Sequence, residues 1–291
     1  MADRAPFRVH QDPVLFREAV IFTAAETRFA PRLIEKDYFC SVILQHLEAA
    51  TADLIFRGGT CLAKVHVGFY RLSEDLDFLI PTPVNASRAE RSRRIAGFKA
   101  DVAALARELP GLRVTAPLTG ANDSSQYAAT LGYHSMLGSG EESVTVEVGL
   151  REPLLTPSVR DGAQTLLLDP ISGTPLVPPL LVTCLSRSEA MAEKLRAALS
   201  RREAAVRDFY DVDHAVRRLD FQVRDAKLIE LVKKKLAIPG NEPVDVSANR
   251  LAALKRQIDS QLKPVLRDRD FAEFDLDRAF ATVAEVAATL G

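Results

Sequence analysis

Residues 55–80, IFRGGTCLAKVHVGFYRLSEDLDFLI, constrain the fold more than any other stretch of this chain. The run ADLIFRGG reads as a short strand that ends in paired glycines, and EDLDFLI reads as a second strand. Side chains alternate faces along a strand, so Asp75 and Asp77 point to one side while Leu76 and Phe78 enter the core. Between the strands, TCLAKVHVGFY is most simply a helix. The order is strand, glycine loop, helix and a strand bearing two carboxylates on one face, which predicts an α/β fold.

The flanking segments extend this frame. Asp12 before Pro13 marks a helix start, and Pro31 opens a second helix whose Ile34, Tyr38, Val42 and Leu47 line one face. Residues 86–109 contain no internal breaker and predict one long helix, ended by Pro110 and Gly111. SQYAATLGYH and ESVTVEVGL flank the turn-prone GSGE and predict an antiparallel hairpin. From Pro153 to Pro179 the chain is rich in proline, with only QTLLL and TPLVPPLLV expected to be extended. Beyond it the pattern is helical: Ser186 with Glu189 forms a capping-box signature, and Phe209, Val212, Val216 and Leu219 recur at helical intervals, with one break at Pro239, Gly240 and Pro243. The expected organisation is a mixed sheet with helices over residues 1–175 and a helical lobe over 176–291, with the active site between them.

Composition removes several function classes. With 38 Lys and Arg against 39 Asp and Glu, the net charge of -1 offers no global attraction to a polyanion, so any such partner must meet a local patch. The most concentrated basic run is Arg88, Arg91, Arg93 and Arg94 with Lys99, which suits either a solvated helix face or contact with an RNA backbone. Cys40, Cys61 and Cys184 are far apart and show neither CxxC spacing nor an accompanying His, which speaks against zinc and a disulfide framework and for buried thiols in a reducing compartment. The N-terminal MADRAPFRVHQDP lacks an apolar signal core, and no run approaches the roughly 20 apolar residues of a membrane span, so a cytoplasmic protein is expected.

Two carboxylates held close repel each other unless a cation lies between them, and a hard ion such as Mg²⁺ prefers a few carboxylates together with phosphate oxygens. Backbone without side chains at Gly58 and Gly59 can approach a triphosphate closely, and Thr60 adds a hydroxyl. The helix that follows would place its N-terminus at the same anion. In VTVEVGL, Val144, Val146 and Val148 share one face and Thr145 with Glu147 the other, which makes Glu147 the choice for a third acid. Alone, each feature is commonplace, as a turn, a strand edge or a wet strand face. Their order along one chain is what points to phosphoryl chemistry.

FRGGTCLAKVHVGFYRLSEDLDF resembles the first motif of the nucleotidyltransferase superfamily, and specifically that of the AbiEii/AbiGii abortive-infection toxins, where a glycine loop precedes R-x-S-E-D-x-D. IEKDY at 34–38 and AMAEKLRAALSRREAAVRDFYDV at 190–212 are similar to further stretches of that family, so the resemblance spans roughly residues 30–215. It implies a nucleotidyltransferase-like fold in which Gly58, Gly59, Thr60, Lys64 and Ser73 contact the nucleotide phosphates. Asp75 and Asp77 would bind metal and act in catalysis, with Glu147 as third ligand. Lys194, Arg207, Asp208 and Asp211 fall on the family's second charged cluster: Lys194 and Asp211 would be catalytic, and Lys194, Arg207 and Asp208 nucleotide-binding. Read locally, Arg207 and Asp211 are four apart on a helix face and would otherwise be a surface ion pair.

The resemblance further implies transfer of a nucleoside monophosphate from an NTP, with Mg²⁺ or Mn²⁺ as cofactor. The expected acceptor is the 3′ end of tRNA and the expected partner a cognate antitoxin protein, with no membrane involved. Two other readings stay open at this stage: the same core acting on a protein or small molecule, and a non-enzymatic NTP-binding regulator.

Overall fold

The computed structural model describes residues 7–51 and 53–290; Ala52, at the head of the expected first strand, and the N-terminal residues 1–6 lie outside it. Two compact units divide the chain, the first ending at Pro153 and resuming over Ser158–Cys184, the second made of Leu154–Pro157 and the residues from Leu185 onward. The division therefore falls at Cys184 and Leu185 rather than at 175 and 176. The reason is that the last proline-rich segment supplies a sheet strand, which ties it to the first unit.

In the first unit, helix α1 (Pro13–Thr27) is capped by the Asp12 carboxylate, which accepts from the amides of Val14 and Leu15. Helix α2 (Pro31–Ala50) buries the expected Ile34, Tyr38, Val42 and Leu47, and also Glu35, Lys36 and Asp37. Those charges survive burial because each has partners. Glu35 accepts from Ser135 Oγ and the Met136 amide, both at 2.7 Å, while burial pushes its carboxyl above the usual range. Lys36 Nζ lies 3.5 Å from Glu74 and 3.7 Å from Glu142.

The seven strands are β1 (Ile55–Arg57), β2 (Asp75–Leu79), β3 (Leu112–Ala121), β4 (Gln126–His134), β5 (Glu141–Gly149), β6 (Val159–Ala163) and β7 (Leu180–Cys184). They form one mixed sheet in the order β3-β4-β5-β2-β1-β7-β6. β4 and β5 are the expected antiparallel hairpin, β2 runs parallel to β5 and antiparallel to β1, and β1 runs parallel to β7. Leu76, Phe78, Val144, Val146 and Val148 are all buried to 1% exposure or less, so the core-facing alternation of both acid-bearing strands is as expected.

Several elements differ from the sequence expectation. The glycines are not a loop before a helix but the first turn of one: α3 (Gly58–Cys61) starts at Gly58 and runs into a π-helical stretch, Leu62–Val67, that stops at Gly68 with φ +82°. Residues 86–109 are two helices, α4 (Arg88–Arg94) and α5 (Ala96–Glu108), joined at Ile95. The join lets Ile95 and Phe98 enter the core while α4 buries nothing. β3 was hidden by Pro117 and by its largely exposed pattern; an outermost strand tolerates both. QTLLL is not a strand, and only Leu168 makes an isolated bridge, to Pro175.

The second unit is helical: α6 (Arg187–Ser200), α7 (Val206–Arg218), α8 (Ala226–Leu236), α9 (Ala248–Lys255), α10 (Asp268–Glu273) and α11 (Leu276–Thr289). Ser186 caps α6 by accepting from the Glu189 amide, as its spacing predicts. The Glu189 carboxylate serves elsewhere: it accepts from the amides of Leu155 and Thr156 and pairs at 2.8 Å with the fully buried Lys235, which also reaches Glu193 at 3.2 Å. On α7, Phe209 and Val212 are fully buried and Val216 partly so, as is Leu219 at its C-cap. No described helix is long and apolar enough to cross a membrane.

Candidate active site

The turn from β1 into α3 is built around the carboxylate of Asp77. Gly58 has φ +78°, and a Cβ placed on it would stand 2.2 Å from Asp77 Oδ2 and 2.8 Å from Asp77 Cβ and Cγ. No side chain fits there, so glycine brings the backbone directly against the acid. A Cβ on Gly59 would lie 2.4 Å from an Nη of Arg71 and 3.3 Å from Ser73 Oγ, so the second glycine gives way to a buried guanidinium and leaves Ser73 at its side. The Thr60 hydroxyl donates to the main-chain oxygen of Asp75. That bond ties the opening turn of α3 to the strand that carries both acids.

Cross-strand register assembles the acids. Asp77 is paired with Arg57 of β1 on one side and with Glu147 of β5 on the other, and Asp75 is paired with Thr145. Paired residues share a face, so Arg57, Asp77 and Glu147 form one row, with neighbouring strands about 4.8 Å apart. Asp75 lies on the same face, about 6.7 Å along β2. Asp75, Asp77 and Glu147 are all half-buried. Glu147 Oε2 also accepts from Gln126 Nε2 at 3.2 Å. The three acids share one face of the sheet, and carboxylate oxygens are hard donors whose chemistry suits a hard divalent cation.

Lys64 does not belong to this group. Its side chain is 1% exposed, and its Nζ is held by Asp37 Oδ1 at 2.6 Å, by Ser41 Oγ at 2.8 Å and by the Asp37 and Gln164 carbonyls at 3.1 and 3.3 Å. A nucleotide contact would have to dismantle that buried network, so the expected role for Lys64 is corrected to packing the π-helical stretch against α2. Thr60 likewise has its hydroxyl committed to Asp75.

Sequence reading missed two arginines beside the acids. Arg57 precedes the glycines, and its guanidinium reaches the buried Glu152 at 2.9 Å. Arg71 is 2% exposed, donates to the Leu72 carbonyl at 3.2 Å and lies under Gly59. Arg71 opens the R-x-S-E-D motif, which was its only signal. Arg32 and Lys36 bind Glu74, the residue before Asp75, and so steady the entry to β2.

The second unit holds the other expected cluster. Lys194 Nζ on α6 pairs at 2.9 Å with both Asp208 and Asp211 of α7, and Arg201 adds a contact to Asp208 at 3.4 Å. Burial would raise the Asp208 carboxyl, but Lys194 and Arg201 outweigh it and hold it below the usual range. Arg207, half-buried, has no ion pair or hydrogen bond among the described residues. Lys194 thus neutralises two buried acids, and Lys194→Ala is expected to destabilise the protein by about 3–5 kcal/mol, because it removes the cation that both share. Lys227→Ala, on an exposed position of α8, should change little. Denaturant melts of the two variants check this; equal stabilities would return Lys194 to a solvated surface residue.

Comparison with known proteins bears on the family and the fold. The family model described as "Nucleotidyl transferase AbiEii toxin, Type IV TA system" matches residues 42–286. Among solved structures, the chain is similar to MenT4, a nucleotidyltransferase toxin of Mycobacterium tuberculosis, with TM-score 0.57, 19% identity, and coverage of 94% of this chain and 98% of that one. It is also similar to a protein of H. pylori described as a nucleotidyltransferase, with TM-score 0.51, 14% identity, and coverage of 90% and 96%. JHP933 from Helicobacter pylori matches with TM-score 0.51, 15% identity, and coverage of 90% and 93%. No curated protein matches by sequence. At these identities the structural neighbours establish the shared fold, and the match over most of the chain establishes the family: this protein belongs to the AbiEii nucleotidyltransferase toxins of type IV toxin–antitoxin systems.

Proposed function

We propose that the protein transfers a nucleoside monophosphate from an NTP to the 3′ end of tRNA, with release of pyrophosphate, and that a cognate antitoxin counters it. The observation that carries this reading is the pairing of Asp77 with Glu147 across β2 and β5, with Asp75 on the same face and Gly58 against the Asp77 carboxylate. Asp75, Asp77 and Glu147 would hold a divalent cation, Mg²⁺ or Mn²⁺. Bound there, the ion supplies Lewis-acid chemistry that polarises the α-phosphate and lowers the pKa of an attacking hydroxyl.

The protein's own part is positioning. The main chain at Gly58 and Gly59 would meet phosphate oxygens beside Asp77, Arg71 and Ser73. The acceptor oxygen forms its bond to the α-phosphorus as the bond to the bridging oxygen of the β-phosphate breaks, and pyrophosphate leaves while the hydroxyl proton passes to solvent. No covalent protein intermediate is required. In the second unit, Lys194 is taken up by Asp208 and Asp211, whereas the Arg207 side chain has no such partner among the described residues.

An RNA acceptor is supported by α4, which buries none of its residues and presents Arg88, Arg91, Arg93 and Arg94. Arg91 and Arg94 bond main-chain carbonyls and Glu90, whereas Arg88 and Arg93 have no partner among the described residues. Lys99 lies 4.7 Å from the Tyr127 ring centroid and is partly engaged by it.

Expression of the protein alone in a bacterium should slow growth, and RNA from arrested cells should carry added 3′ nucleotides that are missing when the Asp77→Asn form is expressed. Arrest with unmodified RNA would move the acceptor to a protein or small molecule. Arrest that persists in Asp77→Asn would favour a non-enzymatic NTP-binding regulator.

A further inference from the structure

Cys61, His66 and Cys184 were set apart from one another by sequence, yet the fold brings them together. Cys61 ends α3, His66 follows on the π-helical stretch, and Cys184 ends β7, whose pairing with Phe56 of β1 delivers it to the start of that same turn. Their donor atoms all lie within 4.8 Å of one another, with Cys184 Sγ 4.0 Å from His66 Nε2. Both cysteines are fully buried, His66 is half-buried, and neither thiol is in a disulfide. The absence of an accompanying histidine, expected from spacing, is thereby corrected.

We propose that Cys61, His66 and Cys184 form a binding site for a borderline-soft d¹⁰ cation, Zn²⁺, and supply three of its ligands. Three donors at such separations enclose a point within roughly 2.8 Å of each, against about 2.3 Å for zinc–thiolate and about 2.0 Å for zinc–imidazole bonds, so small rotations close the site. Two thiolates and a neutral imidazole balance the charge of the ion, which lets it sit in a buried place. Softness separates this site from the carboxylates of Asp75, Asp77 and Glu147, which suit a hard ion. Cys61 directly follows Thr60, so an ion bound here would clamp the turn that carries Gly58 and Gly59 to β7. The proposal does not depend on the acceptor or on the transfer reaction.

Co²⁺ added to chelator-treated, reduced protein tests it. One Co²⁺ per chain should bind with thiolate-to-cobalt charge-transfer absorption and the d–d bands of a tetrahedral ion, and one equivalent of Zn²⁺ should bleach both and raise the melting temperature. Cys184→Ser should lose about half or more of the charge-transfer intensity, and His66→Ala should keep it but weaken binding at least about tenfold. Cys40→Ser should behave as wild type, since that buried thiol is outside the cluster and desolvation pushes it up to about 12. Asp77→Asn should also keep the signal, which separates this site from the carboxylates. A wild-type protein without charge-transfer absorption, a Cys184→Ser form that retains it in full, or recovery of Cys61 and Cys184 as a disulfide that takes up no metal would each overturn the proposal.

Discussion

Asp77→Asn is expected to lower nucleotide transfer by on the order of 10³-fold or more while leaving the melting temperature close to that of the wild type. The substitution keeps the size of the side chain and removes one charge from the row formed with Glu147. Asp77 lies between Glu147 and Arg57, so relief of the like-charge neighbour is set against loss of the opposite one and the fold is kept. Asp75→Asn should behave in the same way, because the Thr60 hydroxyl uses the main-chain oxygen of Asp75 and not its carboxylate. Parallel activity assays and thermal melts check both variants. Full activity in either would remove that residue from the metal-binding set.

Gly58→Ala should lose activity to a similar extent and also lose stability. A residue with a Cβ at φ +78° carries about 1–2 kcal/mol of backbone strain, and here the new methyl also meets Asp77 Oδ2 at 2.2 Å. The side chain that must yield is the acid itself, so the damage falls on the site. Gly111→Ala is the control: its φ is +94°, but a Cβ there meets nothing within 4 Å, so only the backbone strain remains. Combining Gly58→Ala with Asp77→Ala should restore part of the lost stability and none of the activity. If the two changes add without coupling, the close approach of Gly58 to Asp77 is refuted.

How much of this was legible in the sequence depended on the range of the interaction. Asp12, Pro13, Ser186 and the alternation of Val144, Thr145, Val146 and Glu147 act within a few residues, and the elements they predict are present. The face of Glu147 could be read locally, but its place beside Asp77 comes from the parallel pairing of β2 with β5, about which neither strand alone says anything. Lys64 was misread for the same reason. It stands five residues after the paired glycines, but Asp37 and Ser41, a helix away, decide where its ammonium goes. Cys184 meets His66 only because β1 and β7 are neighbours in the sheet. The single helix expected over 86–109 failed differently: no residue there forbids continuation, and burial of Ile95 and Phe98 bends the chain where propensity alone would not.

Incubation of the purified protein with each labelled NTP, Mg²⁺ and total bacterial RNA, followed by separation of the products by size, bears on the transferase reading itself. Label should appear in RNA of tRNA length with the wild type, be absent with Asp77→Asn, and fall as salt rises, because phosphate contacts release counterions. Label retained in full by Asp77→Asn, or no transfer from any NTP to any acceptor by the wild type, would contradict it.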